Sequence, residues 1–203
     1  MYDSPNYPSE PEAAEAFVAG HPAGLLIATP PGGHPQATML PFRKEGDRIE
    51  LHGVRADPTI LAAAANPRVS FVVADFLAFT PHDWVDPVNA ARATLNFRLV
   101  VYEGTATLST DPSEVAGVLR RLLEAYEPGA TYEPVVDGAF YGPRLQRLAA
   151  VWIDIQRTRE KFKVGPYGPD ELKRSVAARL RDRGLPADPR AAEVIESYLP
   201  PDD

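Results

Sequence analysis

The run from Ala93 to Ser109, ATLNFRLVVYEGTATLS, is the longest β-type stretch in the chain and constrains its fold more than any other segment. Leu95, Phe97, Leu99 and Val101 alternate with Asn96, Arg98, Val100 and Tyr102, which is the period-two pattern of a strand. The alternation predicts a core face carrying the odd-numbered apolar residues and a more polar face that presents Asn96 and Arg98 to a ligand. After Gly104 the apolar parity passes to Ala106 and Leu108. A glycine at such a switch predicts a bulge or sharp bend, the device by which a strand turns a barrel corner.

Five further strands are predicted around this one. They are 25–29, 36–43, 48–54, 68–76 and a last one through Val151, Ile153 and Ile155 that ends in Arg157, Arg159, Lys161 and Lys163. The third has a clear alternation, with Ile49 and Leu51 inward and Glu50 and His52 outward. The fourth is apolar on both faces and reads as central. Helices are predicted over 10–19 behind a Ser9 capping box, over 59–65 after Asp57-Pro58, and along the stripe of Val115, Val118, Leu119, Leu122 and Tyr126 after Asp111-Pro112. A short helix is expected over 143–149. Two terminal helices are expected over 170–183, stopped by Gly184, and over 190–199. Residues 77–92 read as a long loop, and loops of that length in a compact domain are more often functional than idle.

The connections between the first three strands are too short for parallel crossovers. The fold class is therefore mainly β with peripheral helices (α+β), a six-stranded antiparallel barrel. A barrel domain over 1–165 with a helical tail over 166–203 accounts for the length of 203 residues.

Composition narrows the chemistry. No cysteine is present, so disulfides, thiol catalysis and thiolate metal sites are excluded, and a cytoplasmic location is expected. No long apolar run exists to span a membrane. The formal net charge of −7 argues against direct DNA binding unless basic residues cluster. Lys173, Arg174, Arg179, Arg181, Arg183 and Arg190 do so on the terminal helices, though interleaved with acids. The four histidines are scattered and no metal-ligand spacing appears. No phosphate-loop glycine motif and no nucleophile elbow is present. Arg157, Arg159, Lys161 and Lys163 lie two apart, so they share one face of an extended segment. That face is either a phosphate-binding edge or a charged strand edge guarded against aggregation.

Several short motifs recur together in order. They are His21-Pro22-Ala23-Gly24 at the first strand, Leu40-Pro41-Phe42 in the second, and His52-Gly53-Val54-Arg55-Ala56-Asp57-Pro58 after the third. Thr80-Pro81 with Trp84, Thr94 to Phe97, Val101 to Gly104, and Lys161-Phe162-Lys163 follow. This set resembles the PaiB-type FMN-binding negative transcriptional regulators of the FMN-binding split-barrel superfamily. The resemblance implies a split β-barrel that forms a homodimer, with FMN between protomers. It implies flavin-binding roles for His52, Val54, Arg55, Thr80, Asn96, Phe97, Lys161 and Lys163, and it turns the basic strand end into the phosphate grip. Met39, Leu95, Phe97, Tyr102 and the Val164-Gly165-Pro166-Tyr167 segment depart from the family's polar pattern. The alternatives to a regulator are a flavin-dependent oxidoreductase acting on a small molecule and a dimeric barrel that has lost its cofactor.

Overall fold

The computed structural model describes Tyr7 and residues 11–200, so the expected Ser9 cap lies outside the described residues. Six strands form, β1 (Ala23–Ala28), β2 (Gln36–Glu45), β3 (Arg48–Val54), β4 (Arg68–Thr80), β5 (Thr94–Ser109) and β6 (Leu148–Lys163). They close into a barrel in the order β1-β2-β3-β6-β5-β4. Antiparallel pairing is explicit at β1 with β2 and β4, and at β3 with β2 and β6, where Gly53 lies opposite Ala149. The helices are α1 (Pro11–Ala19), α2 (Pro58–Ala65), α3 (Pro112–Tyr126), α4 (Gly142–Leu145), α5 (Asp170–Arg183) and α6 (Asp188–Ser197). Among the described residues no helix is long and apolar enough to cross a membrane.

The helix starts follow from local chemistry. Asp57 is extended, at φ −63° and ψ 133°, and its carboxylate accepts the Thr59 amide at 2.7 Å, with Pro58 set for the first turn. Asp111 does the same for α3, accepting the amides of Ser113 at 2.9 Å and Glu114 at 3.1 Å. Gly184 ends α5 in the left-handed region at φ 66°, where a side chain would be strained.

The chain divides into two compact units. The larger comprises residues 13–73 and 100–159. Its interior is apolar, with Leu26, Ile49, Leu51, Phe71, Val73, Val100 and Ile153 buried. Each such side chain contributes about 1.5–3 kcal/mol through burial. Outside the barrel, Val115, Val118 and Leu122 of α3 join Val135, Leu145 and Ala150 in a second apolar cluster. Arg121 of α3 donates twice to the Glu50 carboxylate, at 2.8 and 2.9 Å, and Trp152 Nε1 donates to it at 3.1 Å. At the end of α3 the Tyr126 hydroxyl accepts the Phe42 amide at 3.2 Å and lies 2.7 Å from the Phe42 carbonyl, to which it can donate.

The smaller unit includes residues 74–99 and 160–200, with Tyr7. Its apolar layer comes from α5 and α6, through Val176, Leu180, Ala192 and Ile195. From β4 and β5 it buries Leu77 and Ala78 together with four polar residues, Asp75, Thr80, Thr94 and Asn96. Asp75 receives Arg98 at 2.7 Å and both Arg190 nitrogens at 2.8 Å. Arg183 binds Asp188 at 2.6 and 2.7 Å, donates to the Phe79 carbonyl at 2.9 Å and lies over the Trp84 ring.

Several expectations change. In β5 the buried residues are the even-numbered ones, Thr94, Asn96, Val100, Tyr102, Gly104 and Ala106, while Leu95 is exposed and Phe97, Leu99 and Val101 are half-buried. Hydrophobic counting assigned the faces the wrong way because Tyr102 and Asn96 bury despite their polar atoms. No parity switch occurs at Gly104. A Cβ there would lie 2.4 Å from the Asp154 carbonyl oxygen, so this glycine permits close backbone approach. The strand β4 runs on to Thr80, which shortens the long loop, and two short 3-10 turns, His82–Trp84 and Ala90–Arg92, order it. The helix expected over 143–149 is only Gly142–Leu145, because β6 begins at Leu148 to pair with Val54. The basic patch of the terminal helices is largely neutralised by pairs of Lys173 with Asp170, Arg181 with Glu196, Arg183 with Asp188 and Arg190 with Asp75.

Candidate functional site

The residues singled out in the sequence fall into two sets, one in each unit. In the larger unit, His52 and Val54 stand at the end of β3, and Arg55 follows directly. Both His52 and Val54 line a groove of about 1090 Å³ whose far wall is α3 and the 128–148 segment. Arg55 is exposed, and its backbone amide donates to the Arg147 carbonyl at 3.0 Å. Burial lowers the His52 pKa, so the imidazole is held neutral near pH 7. Its Nδ1 is buried with no hydrogen-bond partner. Val54 is exposed although apolar.

In the smaller unit, Thr80 and Asn96 meet directly. The Asn96 amide donates to Thr80 Oγ1 at 2.8 Å and to the Ala78 carbonyl at 3.0 Å. Asn96 is completely buried, and its Oδ1 has no partner. Phe97, its neighbour on the opposite face of β5, is half-buried. Lys161 and Lys163 flank the buried Phe162 on the last turn of β6. Burial, and then the charge of Lys161, lower the Lys163 pKa, as expected of two like charges held close together. The Lys163 ammonium lies 5.7 Å from the centre of the Tyr7 ring, and Tyr7 donates to the Gly165 carbonyl at 3.4 Å.

The groove also contains residues that the sequence did not single out. Tyr132, Phe140 and Tyr141 supply aromatic surface, and Arg144 and Arg147 supply charge. The aromatics precede the segment expected as a short helix over 143–149, and the two arginines lie within it. The available signal was three aromatics within ten residues, followed by two arginines one helical turn apart.

A group such as FMN combines a flat, largely apolar ring system with a dianionic phosphate. Both sets have features that suit it. His52 Nδ1 and Asn96 Oδ1 are hydrogen-bonding atoms without a partner among the described residues, which is uncommon for buried polar groups. Val54 offers exposed apolar surface, and Lys161 with Lys163 forms a cationic pair whose mutual repulsion an anion relieves. The residues present therefore fit FMN. The capping carboxylate of Asp57 occupies the start of α2, so that helix end is closed to a phosphate.

Comparison with known proteins bears on the fold and the family. The barrel is similar to the flavocytochrome Anf3 from Azotobacter vinelandii, with a TM-score of 0.62 at 22% identity, covering 82% of this chain and 73% of that one. It is similar to an FAD and heme binding protein from Mycobacterium smegmatis, with a TM-score of 0.60 at 18% identity, covering 82% and 78% respectively. A conserved hypothetical protein from Mycobacterium tuberculosis gives a TM-score of 0.55 at 20% identity, covering 80% and 91%. At these identities the likeness is one of fold. No curated protein matches the chain. The family model described as "Putative FMN-binding domain" matches residues 1–157. Three quarters of the chain thus follows one sequence pattern, and the protein belongs to this FMN-binding-domain family.

Proposed function

We propose that this protein holds FMN at the seam of a homodimer and has a regulatory or sensory role like that of the PaiB-type regulators it resembles. The observation that carries the reading is the pair of unsatisfied buried atoms, His52 Nδ1 and Asn96 Oδ1, within a chain of this family. Arg55, Lys161 and Lys163 take the phosphate. His52, Val54, Thr80, Asn96 and Phe97 take the ring system or hold the residues that do. Flavin, when bound, supplies hydride or single-electron transfer. The protein's part is to bind the ring, orient it and exclude water.

Exposed apolar side chains support the dimer. Met39, Val54 and Leu61 face solvent on the larger unit, and Phe76, Phe79 and Leu95 do so on the smaller. The regulatory role is indirect, because the net charge is −7 and the terminal-helix arginines are largely paired with acids. The location is cytoplasmic, and residues 166–203 act as a tail that supports the barrel or its partner. A second reading, a flavin-dependent oxidoreductase acting on a small molecule, is favoured by the aromatic groove beside His52.

Titrating FMN into the purified protein tests the proposal. Saturable quenching of flavin fluorescence at micromolar protein is expected, with affinity at least 10-fold weaker in Lys161→Ala/Lys163→Ala at unchanged melting temperature. Equal affinity in that variant removes the phosphate role of the two lysines.

A further inference from the structure

We propose that the groove between β3, α3 and the 128–148 segment binds a small planar aromatic monoanion, a substrate of the flavin chemistry named as the second reading above, on which this rests. Its volume of about 1090 Å³ is slightly above the range of roughly 300–1,000 Å³ usual for small-molecule sites, so it is roomy for a small organic molecule. The lining is aromatic and unusually open to water. Phe140 is 74% exposed, and Tyr132 is also exposed. The Phe140 and Tyr141 rings meet edge to face, with centres 4.8 Å apart, leaving a ring face of Phe140 available for stacking.

Charge chooses the occupant. Most arginines of this chain that lie near an acid are paired with it, as Arg121 is with Glu50 and Arg183 with Asp188. Arg144 and Arg147 both line the groove, and neither makes an ion pair or side-chain hydrogen bond among the described residues. Glu127 is the one acid in the lining. Two guanidiniums against one carboxylate suit a singly charged carboxylate or phosphodiester better than a phosphate dianion. This separates the groove from the phosphate grip at Lys161 and Lys163. His52 links the two functions, since its ring lines the groove and its Nδ1 lacks a partner within the protein. A flat anion seated on Phe140 with its charge at Arg144 and Arg147 would therefore share the groove with a residue assigned to the flavin.

Calorimetric titration of 1-naphthoate into the full-length protein, with and without FMN, tests this. Binding with a dissociation constant below 1 mM is expected, and at least 10-fold weaker binding of the neutral 1-naphthalenemethanol. Arg144→Gln/Arg147→Gln should lose at least 10-fold in naphthoate affinity and Phe140→Ala several-fold, both with FMN affinity unchanged. Absence of naphthoate binding, equal binding of the alcohol, or competitive displacement by FMN would each overturn the proposal. Naphthoate binding in a protein that takes up no FMN would support the anion site and overturn the flavin reading instead.

Discussion

The two units of this chain are built on the same strands but hold together by different physics. In the larger unit, β4 turns Val69, Phe71 and Val73 inward, and β5 turns Val100, Tyr102 and Ala106 inward. In the smaller unit, the same two strands bury four polar residues, Asp75, Thr80, Thr94 and Asn96, beside Leu77 and Ala78. An apolar interior is non-directional and tolerates imperfect fit. A buried polar one needs each partner in place, and replacing it with apolar groups of similar shape is often neutral or stabilising. Its concentration on these two strands in one unit points to use rather than stability. The orphan Oδ1 of Asn96, in a residue whose amide hydrogens are both bonded, is consistent with a group held ready for something other than the fold.

That contrast can be broken experimentally. The largest effect is expected in the apolar unit. Phe71→Ala should cost about 3–5 kcal/mol, measured by urea denaturation, because a fully buried ring leaves a cavity. Next is Asp75→Ala, at about 3 kcal/mol, since it removes the buried carboxylate that Arg98 and Arg190 share. A loss under 1 kcal/mol would mean that this ion network is not what holds α6. Gly104→Ala should cost about 2–3 kcal/mol through collision with the Asp154 carbonyl. A neutral result would restore the bend that the sequence suggested. Removing the Glu50 carboxylate should have a smaller effect, about 2 kcal/mol at neutral pH. Burial alone raises the Glu50 pKa, but the bonds and charge of Arg121, then Trp152 and Arg43, outweigh it and hold the carboxyl below its ordinary value. The folded pKa therefore lies under the unfolded one. The stabilisation is present at neutral pH and fades as pH falls through the ordinary carboxylate range. Glu50→Gln should flatten the acid side of the stability profile, and an unchanged profile would remove Glu50 from it. The smallest effect on stability is expected from Asn96→Leu with Thr80→Val, within about 1 kcal/mol of the parent by the same isostere logic, but with weakened FMN binding.

The sequence made the barrel legible because turns, caps and short connections are local. Asp57-Pro58, Asp111-Pro112 and Gly184 carry out locally what their chemistry requires. The facing of β5 was not legible. Hydropathy ranks Asn96 and Tyr102 as outward, whereas their burial depends on partners distant in sequence, such as Thr80 for Asn96 and Lys44, whose ammonium lies over the Tyr102 ring. The site was legible only in pieces. The motif resemblance points to His52 and Val54, which line the groove, whereas Arg144 and Arg147 belong to no motif, because a groove is made by packing α3 and its following segment against β3 rather than by any spacing along the chain. Basic residues misled in a related way. Arg159 reads as part of a phosphate edge, but it is paired with Glu103, and Arg181, Arg183 and Arg190 read as a patch until their acids are seen.

The central claim is that this protein holds FMN. The most direct measurement is the visible absorption spectrum of the protein after incubation with FMN and gel filtration, for the parent and for Arg55→Ala combined with Lys161→Ala and Lys163→Ala. The account predicts co-eluting flavin near one per chain in the parent, in a peak of dimer mass, and loss of most of it in the variant with its fold intact. A colourless parent protein after incubation at tens of micromolar FMN would contradict it.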